Sequence, residues 1–303
     1  MTSDALPAAA GIGRVALRVP DLEATVTFYE DVIGLDRLAP DAVAATSPPA
    51  EAESAVLGAA GEPLLVLDAA PDAPQRTPAQ AGLYHLAILV PDRATLGAAV
   101  GRLRDRDLID GAADHGVSEA IYSRDPAGNG VEIYVDRPKA AWPIEGDRVQ
   151  MVTDPLDLDE LGSLAPLDAD GTLPEGTTVG HVHLEVSDLD RTAGFYADAL
   201  GLNVRQRMGE QALFLAAGEY HHHVGANTWR RRSEPAGDDS LGIAWFEVVL
   251  PSESALEDAA RRLEEAGVAV ERERDGAVLA VTDPDGIELR LRVDDATAAS
   301  TGE

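Results

Sequence analysis

The chain has 303 residues, 45% hydrophobic and 4% aromatic, enough for about two domains with their own cores. Its 54 Asp and Glu against 24 Lys and Arg give a net charge of −30, a surface that repels nucleic acid and anionic membranes. It has no cysteine, which excludes disulfides, thiolate metal sites and cysteine nucleophiles, so any metal must be held by His, Asp or Glu.

Residues Met1 to Ala10 are small and acidic and lack the basic and apolar regions of a signal peptide. No apolar run approaches a membrane span, and a cytoplasmic location is expected. An opening strand follows at Ile12–Leu22, ending in Asp21, a residue that can cap the next helix; that helix carries Phe28-Tyr29 and closes on Ile33-Gly34-Leu35. A second opening strand at Leu83–Asp92 leads into a helix through Leu103 and later into the turn and strand Asp125-Pro126-Ala127-Gly128-Asn129-Gly130-Val131-Glu132. The segment from about Arg137 to Gly176 is rich in Asp, Pro and Gly and reads as a connector between halves. The first pattern returns at Val179–Leu189, with Asp188, Phe195-Tyr196 and Leu200-Gly201-Leu202. The second returns at Gly242–Pro251, with a helix through Ala266 and the closing piece Asp283-Pro284-Asp285-Gly286-Ile287-Glu288. The tail after Val293 is small and polar and is expected to fray.

Internal repetition thus predicts an α+β fold of four βαβββ modules paired into two barrel-like, half-open sheets. Residues 8–137 form the N-terminal half with modules one and two, 138–176 the connector, and 177–293 the C-terminal half with modules three and four. Strand alternation turns Leu86, Ile88 and Val90 away from His85, and Val182, Leu184 and Val186 away from His181. Likewise Val131, Ile133 and Val135 share one face, and Glu132 points the other way.

The strand-Asp-helix-Phe-Tyr-x-x-x-Leu/Ile-Gly openings and the Asp-Pro-x-Gly-Asn-x-x-Glu closing resemble the vicinal oxygen chelate superfamily of glyoxalases, extradiol ring-cleaving dioxygenases and drug-resistance binders. Within it, Gly82-Leu83-Tyr84-His85, Asp114-His115-Gly116-Val117-Ser118, Gly130-Val131-Glu132-Ile133-Tyr134 and Tyr220-His221-His222-His223 look most like the bacterial catechol-2,3-dioxygenases. The resemblance places the first metal ligand of a module five residues before its strand's last apolar residue, which selects Arg14, His85, His181 and Trp245. Only His85 and His181 can bind a metal there, and the carboxylate ligand falls on Glu132. Glu288, in a closing turn read as two residues shorter, is expected to be a decoy with Arg14 and Trp245 for neighbours.

Two histidines and one carboxylate suit non-haem Fe(II), with Mn(II) as the alternative metal. The set is complete in one sheet only if modules two and three pair, or if the site forms between chains of a homo-oligomer. The resemblance also points to Tyr122 as a hydrogen-bond donor to substrate, against a half-buried strand aromatic, and to His115 near a bound oxygen. An acid/base histidine belongs to the His221–His223 triple; parity turns His221 and His223 toward the site and His222 away, although a bulge would reverse this. The implied reaction is extradiol cleavage of an aromatic diol by O2, the alternatives being a glyoxalase-like isomerase or lyase and a non-catalytic ligand binder. Of the basic residues only Lys139 is a lysine, and the acids are scattered along the chain. That composition resembles proteins whose solubility must persist in molar salt.

Overall fold

The computed structural model describes residues 5–39, 53–166, 171–237 and 239–294, and nearly all of the tail expected to fray lies outside them. The first module comprises β1 (Gly11–Val19), α1 (Leu22–Phe28), β2 (Asp36–Leu38), β3 (Ser54–Ala59) and β4 (Glu62–Ala69). The second comprises β5 (Gly82–Leu89), α2 (Arg93–Arg104), β6 (Gly111–Asp114), β7 (Ser118–Arg124) and β8 (Gly130–Asp136). The connector carries a small hairpin, β9 (Ile144–Glu145) and β10 (Arg148–Val149), and a short helix, α3 (Leu158–Gly162). The third module is β11 (Thr178–Glu185), α4 (Leu189–Ala193), β12 (Asn203–Met208), β13 (Ala212–Ala216) and β14 (Val224–Asn227). The fourth is β15 (Gly242–Leu250), α5 (Glu253–Glu265), β16 (Glu271–Glu273), β17 (Val278–Thr282) and β18 (Glu288–Val293).

Each module's helix starts at a side-chain cap. Asp21 accepts from the Ala24 N–H, Asp92 from Thr95, Asp188 from Asp190 and Arg191, and Ser252 from Ala255. In the first and third modules the helix widens at its end, over Tyr29–Ile33 and Gly194–Ala199, and this stretch contains the tyrosine of each Phe-Tyr pair. Both tyrosines reach the closing turn of the next module: Tyr29 Oη donates to Asp125 Oδ2 at 3.3 Å, and Tyr196 Oη to Asp283 Oδ2 at 3.0 Å. The aromatic motif of one module and the Asp-Pro turn of the next are therefore two ends of one hydrogen bond. Burial pushes the Asp283 carboxyl up to about 6.

Strand pairing follows a different order. One eight-stranded sheet runs β12-β13-β14-β11-β5-β8-β7-β6 and joins modules two and three; the other runs β16-β17-β18-β15-β1-β4-β3-β2 and joins one and four. Tyr–Asp bonds thus link modules one to two and three to four, while the sheets link two to three and one to four. In both sheets the two opening strands meet antiparallel at the centre, β5 on β11 and β1 on β15. Leu86, Ile88, Val131, Ile133, Val182 and Leu184 join the buried residues of α2, such as Leu96 and Val100, in one core shared by the two sheets. The opposite face of the strands is left for polar side chains. Among the described residues no helix is long and apolar enough to cross a membrane.

Candidate metal centre

Pairing β5 with β11 brings His85 and His181 together in one chain, which removes the need for a site shared between chains. Parallel pairing of β5 with β8 sets Glu132 opposite Ala87, two residues beyond His85, so that its carboxylate lies between the imidazoles. Glu132 Oε2 is 2.9 Å from His85 Nε2 and 3.2 Å from His181 Nε2, and one ligand atom from each of the three falls within 4.8 Å of the others. All three are buried, with exposures of 6%, 2% and 2% for His85, Glu132 and His181. Burial pushes the His181 imidazole down to about 4, so it is neutral and offers a lone pair at neutral pH. Burial opposes ionisation of Glu132, but the pull of His181 and then His85 outweighs it and holds the carboxyl well below its usual range. Close approach without hydrogen-bond geometry at His85 Nε2 fits donor atoms aimed at a common point. A buried carboxylate with no Arg or Lys partner among the described residues calls for a cation. The donor set suits a divalent metal.

Registers identify what stands at the remaining ligand positions. His183, two residues beyond His181, pairs with Gly225 on β14, so Gly225 takes in the third module the place of Glu132 in the second. A Cβ at Gly225 would lie 3.0 Å from the His183 ring, and no fourth protein ligand can stand there. In the other sheet Ala16 pairs with Trp245, and Glu247 pairs with Arg290. Arg290, not Glu288, therefore holds the Glu132 position. The two closing turns span equal lengths, Asp125 N–H to the Asn129 carbonyl and Asp283 N–H to the Ile287 carbonyl, which corrects the reading of a shorter fourth turn. Among the described residues Glu288 belongs to no ligand group, and it accepts at 2.7 Å from Arg290 Nε. Arg14 forms a buried pair with Glu247, and the guanidinium carbons of Arg14 and Arg290 lie 5.8 and 4.5 Å from the Trp245 ring centroid. Arginines and an indole occupy the positions that His85, Glu132 and His181 take in the first sheet.

A cavity of about 250 Å³ opens onto the triad. Tyr122 lines it, opposite Glu132 across β7 and β8. His115 lines it too: its Nδ1 is 2.7 Å from the Val152 carbonyl and its Nε2 2.7 Å from Tyr122 Oη. A carbonyl only accepts, so Nδ1 carries the proton of the neutral ring, Nε2 accepts, and Tyr122 Oη donates to it. Burial, then the charge of Glu132, pushes the Tyr122 phenol well above its usual range, so it keeps that proton.

The histidine triple departs from the parity reading. β14 begins only at Val224, and His221 and His222 lie in the irregular segment before it, where alternation does not apply. His222 lines the cavity, its ring centroid 4.1 Å from that of His181. His221 is wholly buried behind it, with Nδ1 2.8 Å from His222 Nδ1 and Nε2 2.8 Å from Asp136 Oδ1. The carboxylate fixes the tautomers: His221 donates from Nε2 and accepts at Nδ1, His222 donates from Nδ1, and His222 Nε2 is left as the basic atom. His223 turns elsewhere, accepting the Ala217 N–H at Nδ1 and lining a small apolar cleft with Ile12 and Val248 of the other sheet.

Three further contributors were not singled out in the sequence. His183 lines the cavity with a buried, unpartnered Nε2, and its pairing with His85 across β5 and β11 is the signal that could have found it. Phe214 packs on that ring at 5.7 Å. The connector supplies a wall, Met151 to Thr153, held where Gln206 bonds both the N–H and the carbonyl of Met151, at 2.9 and 3.2 Å.

Comparison with known proteins agrees with this geometry. The model of the Glyoxalase/Bleomycin resistance protein/Dioxygenase superfamily matches residues 11–133 and 178–291. The Catechol-2,3-dioxygenase of Bacillus subtilis (strain 168) is 39% identical over 267 residues, covering 86% of this chain and 90% of that protein. Among solved structures, one from Bacillus subtilis subsp. subtilis str. 168 superposes with a TM-score of 0.62 at 15% identity, over 94% of this chain and 85% of that one. Glyoxalase I from Zea mays does so with a TM-score of 0.56 at 17% identity, over 97% and 95%. At such identities the two structures attest the fold alone, whereas the family match spans both repeats and leaves out only the connector and the ends. The chain belongs to the Glyoxalase/Bleomycin resistance protein/Dioxygenase superfamily.

Proposed function

We propose that this protein is an extradiol ring-cleaving dioxygenase that opens a catechol with O2 at a non-haem divalent metal, Fe(II) in preference to Mn(II). One observation carries the reading: the buried His85, Glu132 and His181 set meets Gly225 where a fourth ligand would stand, and faces a cavity with its own acid/base groups. Three protein ligands leave positions for two catechol oxygens and O2. The 39% identity to a Catechol-2,3-dioxygenase supports the same reaction class. A glyoxalase-like isomerase using a second carboxylate ligand is disfavoured by Gly225, and a pure binder has no need of an intact buried triad.

A divalent metal in this site would lower the pKa of chelated catechol hydroxyls and conduct electron density from ring to O2. The chain's own residues would do the rest. His222 Nε2, with His221 and half-exposed Asp136 behind it, takes a substrate proton and returns it on ring opening. Tyr122 Oη, its proton donated to His115, accepts a hydrogen bond from a hydroxyl of the bound diol. His183 Nε2 is left to bond a substrate oxygen. The apolar walls exclude water from the reacting ring. Anaerobically metal-loaded protein offered catechol and, separately, a hemithioacetal decides between the readings: oxygen uptake with catechol supports ring cleavage, and isomerisation of the hemithioacetal without oxygen uptake overturns it.

A further inference from the structure

Among the described residues the large apolar side chains left in water are Ile144, Val152, Leu164, Met208 and Trp229. Three of the five, Val152, Met208 and Trp229, line the cavity that opens onto the triad. They come from separate places: the connector, the end of β12 and the segment just after β14. An exposed apolar cluster continuous with a binding cavity marks a surface that a ligand covers. Trp229 is 43% exposed, yet its ring is 5.4 Å from that of Tyr84 and 5.5 Å from that of His183. An apolar path thus runs from the residue beside ligand His85 to the mouth. The chain is only 4% aromatic, so this grouping of Tyr84, Tyr122, Phe214 and Trp229 around one cavity is a concentration, not a background.

Charge points the same way. Among the described residues no Lys or Arg lines the cavity, and its one acid is Glu132. Arg76, Arg230 and Arg232 are turned onto the buried Glu185 at 2.7, 3.3 and 2.7 Å, and the half-exposed Arg230 guanidinium also lies 5.6 Å from the Tyr84 ring centroid. A ring carboxylate would have to draw Arg230 off Glu185, on a chain of net charge −30.

Resting on the ring-cleaving reading, we infer that the preferred substrate is an uncharged catechol bearing an apolar alkyl or aryl substituent, received at the mouth by Trp229, Met208 and Val152. Specificity is then set by these three side chains and not by an ionic anchor.

The test compares catechol, 4-butylcatechol and 3,4-dihydroxybenzoate on the metal-loaded protein, by anaerobic calorimetry and by steady-state oxygen uptake. The expected result is a kcat/KM at least about tenfold higher for 4-butylcatechol than for catechol, as burial of several methylenes implies, and lower for the acid. Trp229→Ala should cut the butylcatechol-to-catechol ratio about tenfold. Met208→Arg, at a part-exposed strand end, should raise the relative kcat/KM for 3,4-dihydroxybenzoate. Equal kcat/KM for catechol and butylcatechol, or a preference for the acid in the parent protein, overturns the inference and leaves ring cleavage standing. Failure of all three diols to bind or consume oxygen overturns both.

Discussion

Replacing Glu132 by glutamine separates the charge of the buried carboxylate from its volume. Glu132 is 2% exposed and meets two imidazoles but no arginine or lysine among the described residues. Without a cation, the folded chain holds a buried anion whose low pKa is sustained by His181 and His85 alone. A metal present at ~1,000 times its Kd would add ~4 kcal/mol to stability. In a chain of this length ~1 kcal/mol moves the Tm by ~2 °C, so loading should raise the Tm by ~8 °C. In Glu132→Gln the metal-dependent rise should vanish. The assay is calorimetric melting of chelator-treated and metal-reloaded samples, with metal content measured on the same fractions. A variant that keeps one metal per chain and the parent's rise in Tm refutes the assignment of Glu132 as ligand.

Three further outcomes follow from the geometry. Tyr122→Phe and His222→Gln should retain the metal and lose ~10²–10⁴-fold in kcat, whereas His223→Gln, which faces the other sheet, should stay within a few-fold of the parent; oxygen uptake with metal analysis checks all three. Stability should rise steeply with KCl between roughly 0.05 M and 2 M, because 54 carboxylates against 24 basic residues leave a net charge of −30 that repels itself when screening is weak, and a flat Tm over that range would contradict this. In roughly molar salt, stability should fall as pH drops from about 6.5 toward 4, since burial pushes His181 and His223 down to about 4 and the unfolded chain takes up their protons first. Each such group contributes up to ~3 kcal/mol above pH 6.5, lost on acidification; Asp283, raised to about 6, acts in the opposite sense, losing its contribution as pH rises through that range. Denaturant melts across this window should show the histidine slope, reduced in His223→Gln.

What the sequence disclosed and what it hid divide along physical lines. The four modules and the Asp caps were legible in the repetition, and period-2 alternation fixed the faces of His85, His181 and Glu132, while the family resemblance singled these three out as ligands. Pairing of module two with three followed from ligand chemistry, since Arg14 and Trp245 cannot bind a metal. The histidine triple was misread because parity was extended past the start of β14, into backbone with no alternation. Glu288 drew attention as an acid after an Asp-Pro turn, yet only the register with β15 shows that Arg290 takes the ligand position. The connector's wall depends on Gln206, more than fifty residues away, bonding Met151, a long-range contact that composition cannot signal. Similarly, the Phe-Tyr and Asp-Pro motifs were visible separately, but their Tyr29–Asp125 and Tyr196–Asp283 bonds are tertiary.

Mass spectrometry of the product formed from catechol under ¹⁸O₂ tests the central claim most directly. Protein reconstituted with Fe(II) in the absence of oxygen would be mixed with catechol and labelled gas, and the product trapped before it exchanges with water. Extradiol cleavage at the His85, Glu132 and His181 site predicts a ring-opened product containing both oxygen atoms of one O2, with oxygen consumed in equal amount to catechol and no product from Glu132→Gln. Metal bound at one per chain with no labelled ring-opened product, or the same labelled product from Glu132→Gln, would contradict it.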